Sequence, residues 1–211
     1  SGYGVKTNIN DNKALIKHIN ELKNYKKHMI NIKKGILIEE QEIGEKYRIV
    51  VLNGKIIYVK IDKVPIITGD GKTPISSLIK NFHIVNKTID SIKHIDKDLI
   101  LQQGYQLNNI LEKNKKIKIT NIATGDASIN NNETNLSEIH PDNIKMFIEI
   151  NKVLKYNLSG IDYVTKDLNK PYYVSGKIIE VNSDPGLSFL NKNPYLTDKF
   201  IDALFIPRTY N

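Results

Sequence analysis

Toward the carboxyl-terminal end of the chain, IIEVNSDPG (178–186) sets a carboxylate, Glu180, and a carboxamide, Asn182, two positions apart in an apolar run. Pro185 and Gly186 then turn the chain. Along an extended strand residues two apart share a face, so Glu180 and Asn182 are expected to project together, with Ile179 and Val181 on the other side. A second apolar stretch, SGIDYV (159–164), carries Asp162 between Ile161 and Tyr163. Pairing the two strands would gather Asp162, Glu180 and Asn182 on one oxygen-rich surface. Crowded carboxylates repel unless a cation lies among them, and an all-oxygen set with an amide suits magnesium, which keeps several waters and completes its shell from phosphates. Spacing alone leaves the alternative open: a polar sheet face turned to solvent.

Other chemistry is sparser. There is no cysteine, which removes disulfides, thiolate nucleophiles and cysteine-ligated zinc and agrees with a reducing, cytoplasmic setting. The five histidines, His18, His28, His83, His94 and His140, have no paired metal-ligand spacing and read as surface or capping residues. GDGKT (69–73) looks like the tail of a phosphate-binding loop, but that pattern needs a glycine where Ile66 stands. SGYG at the start resembles a dinucleotide fingerprint, yet no strand precedes it in this chain to supply the required context.

The net charge of +8 comes from 31 Lys and Arg against 23 Asp and Glu, which favours anionic partners. The lysines of KALIKHINELKNYKKH, KTIDSIKHIDKD and EKNKKIKIT are scattered with acids among them. The only arginines are Arg48 and Arg208. Arginine is the usual bidentate reader of guanine and phosphate, so nucleic acid is not the expected partner. The chain opens without a basic and apolar leader and holds no run of membrane-spanning length, so a soluble protein with no membrane partner is expected.

The elements that must position these residues alternate. Leu15, Ile16, Ile19 and Leu22 mark an amphipathic helix within 11–30, and GILIEE (35–40) reads as a buried strand. YRIVVLNGKIIYVKI (47–61) reads as two strands joined by Asn53-Gly54, a strong hairpin signal. Thr73-Pro74 opens a short helix, 116–122 reads as a strand, and 124–138 as a polar loop. Pro141 starts a helix with Ile144, Phe147, Ile148, Asn151 and Leu154 on one face. Strands over 159–164 and 171–182 and a helix around TDKFIDALF complete the chain. The length allows one or two subdomains with a real core.

In colinear order, GxGV, ILIEEQEIGEKYRIVVLNGKIIYV, VPIITGDGKTPISSLI, EIHPDN, SGIDYVTKDLNKP and IIEVNSDPGL closely resemble the ATP-grasp ligases of the cyanophycin synthetase type. The resemblance implies an α+β ATP-grasp fold of mostly antiparallel sheets with flanking helices, incomplete at the amino terminus. It divides the chain into residues 1–45, part of the smaller subdomain, and 46–211, the larger subdomain with the metal and substrate site. It also implies ATP with two magnesium ions. In that family a carboxylate is phosphorylated and an amine attacks the acylphosphate, releasing ADP and phosphate.

Residue by residue, Asp162, Glu180 and Asn182 match the family's magnesium ligands, and Arg48 matches the arginine that steadies the phosphates. Glu39, Glu40, Gln41 and Glu42 match the segment that meets adenine, and Gly2 and Gly4 the glycine loop over the phosphates. Lys63 stands where relatives carry arginine. Lys46 replaces an acid that holds the ribose, with Glu45 beside it as the expected substitute. In the substrate loop Asp126, Thr134 and Leu136 depart from the pattern, as does Leu190, where relatives have histidine. The expected partners are a nucleotide, an amino-acid or peptide substrate, the amino-terminal part of the ligase in cis or in trans, and a second copy in a homo-oligomer. The alternative is a degenerate ATP-grasp nucleotide-binding module without activity of its own.

Overall fold

The structure, a computed structural model, describes residues 5–23, 35–86, 95–122, 132–187, 190–192 and 194–205. In chain order the elements are α1 (Asn12–Lys23), β1 (Glu45–Leu52), β2 (Lys55–Asp62), β3 (Ile66–Thr68), α2 (Ile75–Asn86), α3 (Lys97–Gln102), β4 (Lys116–Lys118), β5 (Asn132–Glu133), α4 (Pro141–Leu154), β6 (Leu158–Thr165), β7 (Lys177–Asn182) and α5 (Pro194–Phe205). They form two compact units, Ser1–Gln41 with Val64–Ile129 and Glu42–Lys63 with Asn130–Asn211. Each unit is discontinuous in sequence, unlike the single boundary after residue 45 expected above.

In the first unit β3 and β4 pair antiparallel, with Ile67 opposite Ile117. Their inner face meets Ile75 and Ile79 of α2, Ile100 of α3, and Leu111 and Ile119 in one buried cluster. The GDGKT stretch is a turn that launches α2. Asp70 accepts from the Lys72 amide at 2.9 Å, the Thr73 amide at 2.7 Å and the Thr73 hydroxyl at 2.6 Å. These bonds, the hydroxyl foremost, lower the Asp70 carboxyl to about 2.

The segment GILIEE is a correction to the sequence reading: residues 35–43 form no strand, and Leu37 and Ile38 are 79% and 62% exposed. An apolar run becomes a buried strand only if another strand takes its backbone donors and acceptors, and among the described residues none does. The end of the segment is tied instead through Gln41. Its Oε1 accepts from the Asn8 amide at 2.7 Å, and its Nε2 donates to Asn8 Oδ1 at 3.3 Å.

The second unit is built on a five-stranded antiparallel sheet in the order β5-β2-β1-β6-β7. Asn53 and Gly54 both adopt positive φ, 48° and 72°, as a two-residue hairpin turn requires. Strand alternation then separates two faces. Ile49, Val51, Val59, Ile161 and Tyr163 pack on Phe147 of α4, whose ring meets Tyr163 edge to face at 5.1 Å. Val50, Leu52 and Tyr58 face the other way, under Leu196, Phe200 and Ala203 of α5.

α4 begins at Pro141 as expected, and His140 caps it by accepting from the Asp142 amide. Phe147 and Asn151 on its inner face are buried, whereas Leu154 at its end is 43% exposed. Asn143 is fully buried and donates to the Leu168 and Lys170 carbonyls at 3.0 and 2.8 Å, anchoring the turn that follows β6.

β7 departs from its sequence reading in two ways. It starts at Lys177, because Pro171–Gly176 turns instead of extending, and it is an exposed edge strand. A bulge between β6 residues Asp162 and Tyr163 leaves Ile179 as the extra residue of β7, 56% exposed. Val181 does pack against the α4-side core, as expected.

Candidate active site

α5 covers only one end of the second sheet face, and the other end is charged. Arg48 of β1 pairs in register with Lys60 of β2 and Asp162 of β6, and Asp162 pairs with Glu180 of β7. One cross-strand row therefore reads Lys60, Arg48, Asp162, Glu180. A residue pair further along, Lys46 faces Asp62. In the other direction Gly160 pairs with Asn182, which puts Asn182 beside Glu180 on the same face.

Two of these carboxylates are deeply buried: Asp62 and Asp162 are each 2% exposed. Lys46 Nζ lies 2.7 Å from Asp162 Oδ2 and 3.8 Å from Asp62 Oδ2. Arg48 Nε lies 2.7 Å from Asp162 Oδ1, and Lys60 Nζ lies 2.8 Å from Asp62 Oδ1. Asp162 Oδ1 and both Asp62 oxygens lack a well-aligned hydrogen bond, so proximity of charge is what compensates their burial. Glu180, by contrast, is exposed at the sheet edge, and Asn182 is half-buried.

Gly160 leaves room for this packing. A Cβ there would stand 2.7 Å from Pro185 Cβ and 2.8 Å from Arg48 Nη1. The SDPG turn thus seats its buried proline against Gly160 beside the guanidinium. With Nε turned to Asp162, the two Nη groups of Arg48 are further donors for an oxyanion.

The structure brings together Arg48, Asp162, Glu180 and Asn182 of the residues singled out from sequence. It does not bring in Glu45, which alternation puts on the face of Tyr47 and Ile49, opposite Lys46 and Arg48. Burial, and next the Glu45 charge, push the Tyr47 hydroxyl above its ordinary value. Lys63 is exposed just beyond β2, Glu39, Glu40 and Gln41 are exposed, and Glu42 is half-buried. Gly2, Gly4 and Asp126 lie outside the described residues. Leu190 packs on the α5-side core.

Lys60 and Asp62 were missed in the sequence reading, although YVKID shows the same polar alternation that singled out Glu180 and Asn182. Glu180 and Asn182 are hard oxygen donors that fit magnesium, whereas both oxygens of Asp162 already face cations. Among the described residues there is no cluster of three or more His, Asp or Glu for a metal. A cavity of about 440 Å³ lined by Gly54, Ile57, Ile144, Lys199 and Ala203 shares no residue with the charged cluster. Among the described residues no helix is long and apolar enough to cross a membrane.

The arrangement of antiparallel sheets with flanking helices is an ATP-grasp fold. The solved bifunctional glutathione synthetase from Pasteurella multocida matches 79% of this chain with a TM-score of 0.54 and 19% identity, over 25% of its own length. The sequence is cyanophycin synthetase-like. It is 31% identical over 169 residues to cyanophycin synthetase from Synechocystis sp., covering 72% of this chain and 19% of that protein. It is 27% identical over 166 residues to the glutathione biosynthesis bifunctional protein of Streptococcus agalactiae, covering 72% of this chain and 22% of that one. The chain thus spans about a fifth of the length of these curated relatives. No protein family model matches the sequence.

Proposed function

We propose that the chain supplies the phosphate- and metal-handling face of an ATP- and magnesium-dependent carboxylate–amine ligase that acts on amino-acid or peptide substrates. The observation that carries this reading is the row Arg48, Asp162, Glu180 across three strands of one sheet. Glu180 and Asn182 would hold magnesium, with Asp162 behind them. The ion supplies charge neutralisation to the nucleotide phosphates.

Arg48, oriented by Asp162, spreads the negative charge of the transferring phosphoryl group through its planar guanidinium. In the reaction a substrate carboxylate oxygen bonds to the γ-phosphorus as the bond to ADP breaks. An amine nitrogen then bonds to the acyl carbon, phosphate leaves, and the amine loses a proton. The adenine-side residues Glu39, Glu40, Gln41 and Glu42, the glycine loop at Gly2 and Gly4, and Lys63 complete the nucleotide site in this reading. The remaining part of the ligase acts in cis or in trans.

A second reading, a nucleotide-binding module without turnover, is favoured by the two cations already set against Asp162. ADP release from magnesium-ATP over a panel of amino acids and dipeptides separates the two. For either, Glu180→Gln is expected to abolish magnesium-dependent ATP binding, measured by calorimetry, with an unchanged circular dichroism spectrum. Unaltered binding would remove Glu180 from the site.

A further inference from the structure

Both oxygens of Asp162 have a cation at contact distance, Lys46 at 2.7 Å on one and Arg48 at 2.7 Å on the other. Lys46 is also held from its far side, since the buried Asp62 lies 3.8 Å away. Asp62 in turn has its own cation in Lys60 at 2.8 Å. The three cations therefore face two buried carboxylates, and Lys46 is the one that bridges them.

We infer that Lys46 is the resident counter-ion of the site: its ammonium takes the place of one divalent cation, and the chain binds its nucleotide with a single divalent ion held at Glu180 and Asn182. Lys46 is three-quarters buried, so its attraction to the two carboxylates is only weakly screened by water. A divalent ion on Asp162 would either sit against two positive groups or displace an ammonium from between two anions. Glu180 and Asn182 are different: they stand on the edge strand, Glu180 exposed, where an ion can arrive with its waters and its phosphates.

Lys46 is thus a positioning and charge-setting residue, and its replacement changes the number of ions the site takes. The inference rests on the nucleotide-binding reading, and the experiment separates the two. Bound Mn2+ is counted by electron paramagnetic resonance on the full chain with a non-hydrolysable ATP analogue, while bound nucleotide is counted independently. The native chain and Lys46→Arg are expected to bind one Mn2+ per nucleotide, and Lys46→Gln two.

Two Mn2+ per nucleotide in the native chain would overturn the inference without any variant, so it stays testable if Lys46→Gln fails to fold. One Mn2+ in a folded Lys46→Gln would overturn it as well. Absence of nucleotide binding would instead sink the underlying reading, and the role of Lys46 with it.

Discussion

Removing the Asp62 carboxylate tests whether the buried charges are arranged as a unit. Asp62 is 2% exposed, 2.8 Å from Lys60 and 3.8 Å from Lys46. At an effective dielectric constant of about 20, the Coulombic attraction at the Lys60 distance is about 6 kcal/mol. Desolvation of the carboxylate consumes much of this, but truncating one partner of a buried pair leaves the other charge uncompensated and costs about 3–5 kcal/mol. Lys46 retains Asp162 in the variant, and Lys60 is 14% exposed, so it can turn toward water.

The expected loss for Asp62→Asn is therefore about 3 kcal/mol, at the lower end of that range. Lys60→Met leaves the buried Asp62 to Lys46 at 3.8 Å and is expected to cost about 3 kcal/mol. The double variant is expected to lose less than the sum, with a coupling of about 1–2 kcal/mol. Urea unfolding midpoints of the four proteins, with the slope checked for constancy, give all three numbers. A coupling below about 0.5 kcal/mol would mean that the two charges act independently, and the ion-pair account of this face would be refuted.

Two further perturbations address the site's packing and the turn before α2. Gly160→Ala must shift either Pro185 or the Arg48 guanidinium and is expected to cost about 1–3 kcal/mol by urea unfolding; native stability in this variant would show that the SDPG turn yields freely. The Asp70 carboxyl sits at about 2 against an ordinary 3.8, because the Thr73 hydroxyl and then the Lys72 and Thr73 amides favour its charged form. A depressed folded value contributes stability that is present above 3.8 and lost as the pH falls through about 2. Protection factors in the first turn of α2, corrected for the intrinsic pH dependence of amide exchange, should therefore fall as the pH drops across that window, and Asp70→Asn should remove this pH dependence.

Local chemistry made much of the fold legible. Asn53-Gly54 favoured a turn with two positive φ values, and Pro141 favoured a helix start; both stand where the sequence put them. GILIEE was misread because its apolar content is local, whereas a strand is a relation to a partner. The two units were not legible for a related reason. The chain changes unit after Gln41, Lys63 and Ile129, and nothing in composition marks the first two crossings as linkers.

The site was legible where alternation could be combined with resemblance, and Asp162, Glu180 and Asn182 do share a face. Lys60 and Asp62 obey the same alternation but went unread, because a lysine and an aspartate in a strand also describe an ordinary solvated face. Register is what distinguishes the two cases. Only the pairing of Lys46 with Asp62, and of Arg48 with Asp162, shows that these charges converge instead of dispersing. The same register changes the meaning of Lys46. Read along the chain, it is one lysine among many; read across the sheet, it is a cation held between two buried carboxylates. The charge of Lys46 is therefore compensated by the strands on either side, and that compensation lies in residues distant in sequence.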